Sequence, residues 1–248
     1  MINLFWKLVL MIVKNRLLNF DGIIYQNDEW FKFSLDSVLL VNFVTLNLRC
    51  KKIIDLATGN APIPMLLFYK TKANIDGIEL QNCVYKLACK SIYDNDMNDR
   101  IKVINGDVRK ISDYYNSDIY DTVLCNPPYF KTKIDGYVND NEVKMKARHE
   151  LTLEVDDVLR AARYLLKNGG NFAMVHRSER FIEIITKLKN YNLEPKKVRF
   201  VYPRKGKNSD LFLIEAVKNG NSGLKVMEPL IIHNDDGSYT DEVSSMFG

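Results

Sequence analysis

From residue 51 onward the chain alternates two hydrophobic rhythms. Short runs dense in apolar and β-branched residues, KKIIDLA (51–57), ANIDGIEL (73–80), RIKVING (100–106) and YDTVLCNPPY (120–129), are separated by helical patterns over 63–69 and 81–95. The first rhythm predicts buried strands and the second predicts helices. Further helices are predicted over 155–166 and 179–191, with a strand at NFAMVH (171–176) between them. Two closely spaced strands, KKVRFVYP (196–203) and DLFLIEAVK (210–218), read as a hairpin. Strands that alternate with helices build βαβ units, so the expected fold is a doubly wound, Rossmann-like α/β domain. Its sheet should have seven mainly parallel strands with an antiparallel last strand, and ligands should bind beyond the C-terminal strand ends. The whole chain, 1–248, is expected as one domain, with 51–248 as the core. Residues 1–50, carrying an amphipathic helix over 36–48 after the aromatic stretch 25–33, should cover one flank of the site. The polar segment 131–149 lacks periodicity and reads as a mobile loop.

Composition narrows the class without naming it. With 46% hydrophobic residues, 7 Pro and 12 Gly, collagen-like and low-complexity classes are excluded. The net charge of +4 is mildly basic, far from that of a polycation. Cys50, Cys83, Cys89 and Cys125 form no CxxC pair and have no histidine at zinc-ligand spacing, so reduced thiols and no metal site are expected. The apolar N-terminus is broken by Lys7 and Lys14, leaving only 8–13 uncharged, against the roughly 20 residues a membrane span needs. A cytoplasmic protein without a membrane partner is the expectation.

Chemistry concentrates at four predicted strand ends. In IIDLATGNAPIP (53–64), Asp55 ends a buried strand, and the small residues Ala57, Gly59 and Ala61 make a tight turn that backbone and ligand can share. Alanines at two glycine positions separate this turn from the GxGxxG dinucleotide fingerprint and argue against NAD. Glu79 closes the second strand, where a carboxylate can accept from both hydroxyls of a ribose. Asp107 follows the third and can accept from an adenine amino group. After the fourth strand comes Asn126-Pro127-Pro128-Tyr129. Two prolines hold the chain extended, so that the Asn126 oxygen and the Pro127 carbonyl can face one amino group while Tyr129 stacks on the ring that bears it.

This ordered set resembles the class I S-adenosylmethionine-dependent methyltransferases that act on planar exocyclic amines. Within that group FKFSLDSVLL (31–40), DLATGNAPIP, CNPPYF, ARHE (147–150), VHRSER (175–180) and the closing segment from Lys218 resemble the bacterial tRNA(Val) adenine-37 N6-methyltransferases. The resemblance begins near Met11, which is expected as an alternative initiator. It implies S-adenosylmethionine as cofactor, with Asp55, Ala57 and Gly59 shaping the methionine side, Glu79 on the ribose and Asp107 on the adenine. Asp36 and Phe33 would close that pocket, and Asn126, Pro127 and Tyr129 would carry the catalytic step. Ala57 and Ala61 depart from the glycines of the general turn and are expected to narrow the methionine pocket.

A tRNA partner requires cationic surface. Lys196, Lys197, Arg199, Arg204, Lys205 and Lys207 fall within 195–208 without one acid, interleaved with Phe200 and Tyr202, and Arg177 and Arg180 follow the fifth strand. For Arg180 a salt bridge to Glu179 or Glu183 is the competing reading. His149 and His176 are read as structural. DNA is not expected as a partner, because the residues after Tyr129 leave no room for a target-recognition domain. The alternatives are a ribosomal RNA base-amine methyltransferase and a non-catalytic RNA-binding protein on the same scaffold.

Overall fold

The computed structural model describes residues 12–17, 22–27, 35–127 and 153–247. An antiparallel hairpin, β1 (Ile12–Arg16) and β2 (Ile23–Asn27), precedes α1 (Leu35–Phe43). The alternating region follows as β3 (Lys52–Leu56), α2 (Pro62–Lys70), β4 (Asn74–Glu79), α3 (Asn82–Asp94), β5 (Ile101–Asn105), a 3-10 turn (Val108–Asp113) and β6 (Tyr120–Cys125). Then come α4 (Val155–Leu165), β7 (Leu166–Arg177), α5 (Phe181–Asn190), β8 (Leu193–Arg204), β9 (Leu211–Lys218), β10 (Lys225–Val226), β11 (Leu230–His233) and α6 (Asp241–Ser245).

The central sheet runs β5-β4-β3-β6-β7-β9-β8, and β10 and β11 add to the outer edge of β8. Among these seven core strands only β9 runs against the rest, antiparallel to both β7 and β8, as expected for the last of them. The chain enters at β3, moves outward to β5, and returns to pair β6 on the other side of β3. That reversal is a topological switch point, where the crossover loops part and leave a crevice. Burial alternates along the strands. Ile53, Ile75, Leu124, Ala173 and Leu213 join a core with α1 and α2, whereas Ile54, Ile78, Val123, Phe172 and Phe212 join a second core with α4. Period-two alternation puts these cores on opposite faces of the sheet, which is why its strands read as near-continuous apolar runs.

Two expectations about the first fifty residues change. The helix over 36–48 ends at Phe43, because the Thr45 N–H is drawn 2.6 Å from the Glu215 carboxylate, off the helix axis. It is also buried at Ser37 through Val41, so it is a core helix and not an amphipathic one. The hairpin β1–β2 has no counterpart in the sequence-based expectation. It is held by side chains of α3 and its cap in place of a neighbouring strand: Ser91 Oγ accepts from Tyr25 N at 3.0 Å, and Asn95 pairs with both the N–H and the carbonyl of Ile23 at 2.7 Å. Among the described residues no helix is long and apolar enough to cross a membrane.

Candidate active site at the strand ends

Parallel pairing lines up the C-terminal strand ends. Leu56 is level with Ile78 on one side and with Cys125 on the other, and Cys125 is level with Met174. Asn126 therefore emerges beside the turn that follows β3, one strand spacing of about 4.8 Å away.

That turn runs through three left-handed residues, Ala57 (φ 54°), Gly59 (φ 60°) and Ala61 (φ 66°). The two alanines thus keep a path that favours glycine, and they do so under strain. We expect Ala57→Gly to stabilise the fold by about 0.5–1 kcal/mol, the relief of a left-handed alanine less the added freedom of glycine in the unfolded chain. Urea denaturation would reveal it. Behind the turn, Gly77 of β4 makes the close approach possible, since a Cβ there would stand 2.9 Å from Thr58 Cγ2. Above it, no atom of the described residues, chain neighbours aside, lies within 4 Å of where a Gly59 side chain would begin, so a ligand can reach the backbone.

Asp55 lies under this turn, 1% exposed, and among the described residues neither of its carboxylate oxygens has a hydrogen-bond partner. Burial pushes its pKa up to about 8, with the adjacent Thr58 hydroxyl opposing the rise and the Glu79 charge adding to it. Glu79 is buried too, but its oxygens are engaged: Oε2 accepts from Gly59 N at 3.0 Å and Oε1 from Gln81 N at 2.8 Å. Burial holds its pKa above the usual value despite these bonds. Its carbonyl accepts from Gly106 N and from Asn105 Nδ2, so this one residue ties together the tips of β3, β4 and β5.

Asp107 caps the 3-10 turn by accepting from Arg109 N, and its carboxylate is gripped by the Arg109 guanidinium at 2.7–3.0 Å. Burial works to raise its pKa, but the Arg109 bonds hold it below the ordinary value. Asn126 donates from Nδ2 to Ser37 Oγ at 3.2 Å, which brings the first turn of α1, Asp36 included, to the end of β6. Pro127 is buried. The structure thus gathers Asp55, Ala57, Gly59, Glu79, Asp107, Asn126 and Pro127 on one edge, with Asp36 alongside. Tyr129, Phe33, His149 and the 131–149 segment lie outside the described residues, as does Met11.

The chain that carries this strand-end arrangement is similar to known proteins. Residues 32–200 match the family model described as "Methyltransferase small domain". The chain belongs to this family. A methyltransferase of Parabacteroides distasonis named tRNA1(Val) (adenine(37)-N6)-methyltransferase is 30% identical over 174 residues, 69% of this chain and 70% of that one. A methyltransferase of the same name from Shewanella sediminis is 26% identical over 220 residues, covering 85% and 88%. The fold matches the crystal structure of a predicted O-methyltransferase, Atu636 from Agrobacterium tumefaciens, with a TM-score of 0.69 at 22% identity over 86% of this chain and 95% of that one. It is the Rossmann-like methyltransferase fold that the strand pattern implied.

The cationic residues of this methyltransferase do not form one face. Lys197 is turned inward, donating to the Phe43 carbonyl at 2.7 Å and standing 3.5 Å from Glu215. Arg199 makes a two-pronged pair with Glu242 of α6, at 2.6 and 2.8 Å. Arg180 pairs with Glu183, in line with the competing reading, and that pair holds the Glu183 pKa down to about 2. Lys196 bonds the Asn221 carbonyl, level with the strand interiors. Arg204, Lys205 and Lys207 are exposed in the β8–β9 turn. Because β8 is parallel to β7, that turn stands on the same edge as Asn126, with Arg177 between.

Sequence reasoning missed four contributors: Ser37, Thr58, Arg109 and Asn60, whose Nδ2 donates to the Tyr25 carbonyl at 3.0 Å and fastens the turn to the hairpin. Ser37, Thr58 and Asn60 lie inside the quoted runs FKFSLDSVLL and DLATGNAPIP, but no pattern in the sequence marks their contacts.

Proposed function

We propose that this chain transfers a methyl group from S-adenosylmethionine to N6 of an adenosine in tRNA, at position 37 beside the anticodon of tRNA(Val). The observation that carries the reading is the placement of Asn126 one strand from the Asp55–Ala61 turn, across the switch point. The residues fit the cofactor. Asp55 is a buried carboxylate whose oxygens have no partner among the described residues, the kind of group a bound cation would satisfy. Gly59 leaves room over the backbone, and Glu79 is fixed at the strand tip with lone pairs remaining for a ribose.

When bound, S-adenosylmethionine supplies an electrophilic methyl carbon on a sulfonium. The chain's own task is to prepare the amine. An adenine NH2 is a poor nucleophile because its lone pair is delocalised into the ring. With its two hydrogens accepted by Asn126 Oδ1 and the Pro127 carbonyl, the nitrogen turns pyramidal and aims its lone pair at the cofactor side. No strong base is required, because the proton becomes acidic only once the methyl group has arrived. Most of the acceleration comes from alignment and from acceptors already in place.

A stacked tRNA base must swing out at a cost of a few kcal/mol, which phosphate contacts have to offset. The β8–β9 turn lies three strands from β6, about 14 Å at ordinary spacing, a reach suited to neighbouring phosphates. Replacing Arg204, Lys205 and Lys207 together by Ala is expected to weaken tRNA binding and to lower the slope of log K against log salt by about 2. Filter-binding salt titrations check this. An unchanged slope would remove the turn from the interface.

In this reading the chain is one cytoplasmic methyltransferase domain, in which residues 1–50 flank the catalytic core and reach it through Ser37 and Tyr25. Incubation with labelled S-adenosylmethionine and unmodified total RNA, followed by nucleoside analysis, tests it. N6-methyladenosine confined to tRNA is expected. Label in ribosomal RNA would favour that substrate instead, and cofactor binding with no transfer would favour a non-catalytic RNA-binding role.

A further inference from the structure

Ser37 is an unusual residue for its place. It lies in the first turn of α1, 3% exposed, and the other buried residues of that helix, Val38, Leu39, Leu40, Val41 and Phe43, are all apolar. A buried hydroxyl is retained at a cost unless it has a hydrogen-bonding task. Here it takes Asn126 Nδ2 at 3.2 Å, across 89 residues of sequence.

The contact bears on a specific weakness of a carboxamide. Its oxygen and nitrogen are nearly the same size, and rotation by 180° about the last side-chain bond exchanges them. With oxygen outward the group accepts from a substrate amine. With nitrogen outward it opposes two NH2 groups, donor against donor, and the amine loses the acceptor that makes it pyramidal. We infer that Ser37 is a positioning residue for Asn126, anchoring one end of the carboxamide so that its oxygen is offered to the substrate amine. This rests on the methyl-transfer reading. The hydroxyl is small enough to stay inside the helix packing and takes the amide N–H at 3.2 Å. Because a hydroxyl can also donate to a carboxamide oxygen, it holds the oxygen outward only while its own proton is bonded elsewhere, and the Asn126→Asp comparison reads whether it does.

The assignment separates turnover from binding. Ser37→Ala should lower kcat about tenfold, the worth of one hydrogen bond, while the S-adenosylmethionine Kd, the KM for tRNA and the Tm stay near wild type. Ser37→Thr, which restores the hydroxyl, should recover most of the lost kcat. A carboxylate offers an oxygen in either rotamer, so in an Asn126→Asp background, which should keep measurable transfer, removing the Ser37 hydroxyl should cost less than twofold. That comparison also guards against a variant that merely folds poorly, since a packing defect would reduce both backgrounds alike. Unchanged kcat in Ser37→Ala, or an equal loss in the wild-type and Asn126→Asp backgrounds, overturns the inference. Wild-type protein is measured first: no transfer to tRNA would sink the methyl-transfer reading and this inference with it, whereas an active wild type with an indifferent Ser37→Ala sinks the inference alone.

Discussion

Asn126→Ala should lower kcat by a factor on the order of 10² to 10³ and leave S-adenosylmethionine affinity within twofold of wild type. The asymmetry follows from the layout. Asn126 leaves the end of β6, whereas Asp55, Ala57, Gly59, Glu79 and Asp107, the main residues proposed to meet the cofactor, lie at or near the ends of β3, β4 and β5; of the others, Asp36 lies in α1. The Asn126 amide nitrogen bonds to Ser37 in α1, not to a residue of the Asp55–Ala61 turn. On the proposed reading, truncation therefore removes an acceptor that matters once the amine becomes pyramidal and leaves the proposed cofactor cradle in place. Single-turnover transfer to tRNA and calorimetric titration with S-adenosylmethionine would measure the two effects separately. Normal turnover in the variant would end the role assigned to Asn126, and a large loss of cofactor affinity would show that the two halves of the crevice are not independent.

The parts of this site that are legible in the sequence are those governed by local rules. Strands such as Lys52–Leu56 and Tyr120–Cys125 are buried on both faces, so they appear as largely apolar runs, and an acid or amide at or just past the last positions of such a run lies near a strand end. Glu79 and Asn126 are marked in this way, Asp55 one residue before the end of β3, and Asp107 two residues past the end of β5. What escapes depends on contacts between distant segments. Ser37 reaches Asn126, and Asn60 reaches Tyr25, through tertiary packing that leaves no periodicity. The hairpin β1–β2 is hidden because its strands, IVKNR and IIYQN, end in polar residues without apolar alternation, and its outer bonding groups are met by Ser91 and Asn95 of a helix and its cap. The cationic run 195–208 misleads for a related reason. Side chains on a strand take alternate faces and levels, so a cluster in sequence is not a cluster in space: Lys197 and Arg199 turn to Glu215 and Glu242, leaving the β8–β9 turn exposed.

Asp55→Asn should make the protein more stable at pH 8 and above, and a poorer binder of S-adenosylmethionine. The carboxyl is fully buried and unpaired among the described residues, so its folded-state pKa lies at about 8 against 3.8 for the free group. The sign follows from proton counting. Between these two values the folded form keeps a proton that the unfolded form has lost, so folding stability falls as pH rises through the window, by up to about 1.4 kcal/mol per pH unit, and levels off above 8. An asparagine has no proton to lose, so the Tm difference between variant and wild type should grow from pH 5 to pH 8. Cofactor binding runs in the opposite sense. A bound cation favours the ionised carboxylate, so the wild-type Kd should improve between pH 6 and pH 8, while the variant binds on the order of 10² more weakly with little pH dependence. The buried carboxyl, which costs folding stability as pH rises, is on this account retained because its ionised form pairs with the cofactor's positive charge. Equal S-adenosylmethionine affinity in both proteins across that range would separate Asp55 from the cofactor, and a Tm difference that stays flat with pH would mean that the carboxyl is not held protonated in the free protein.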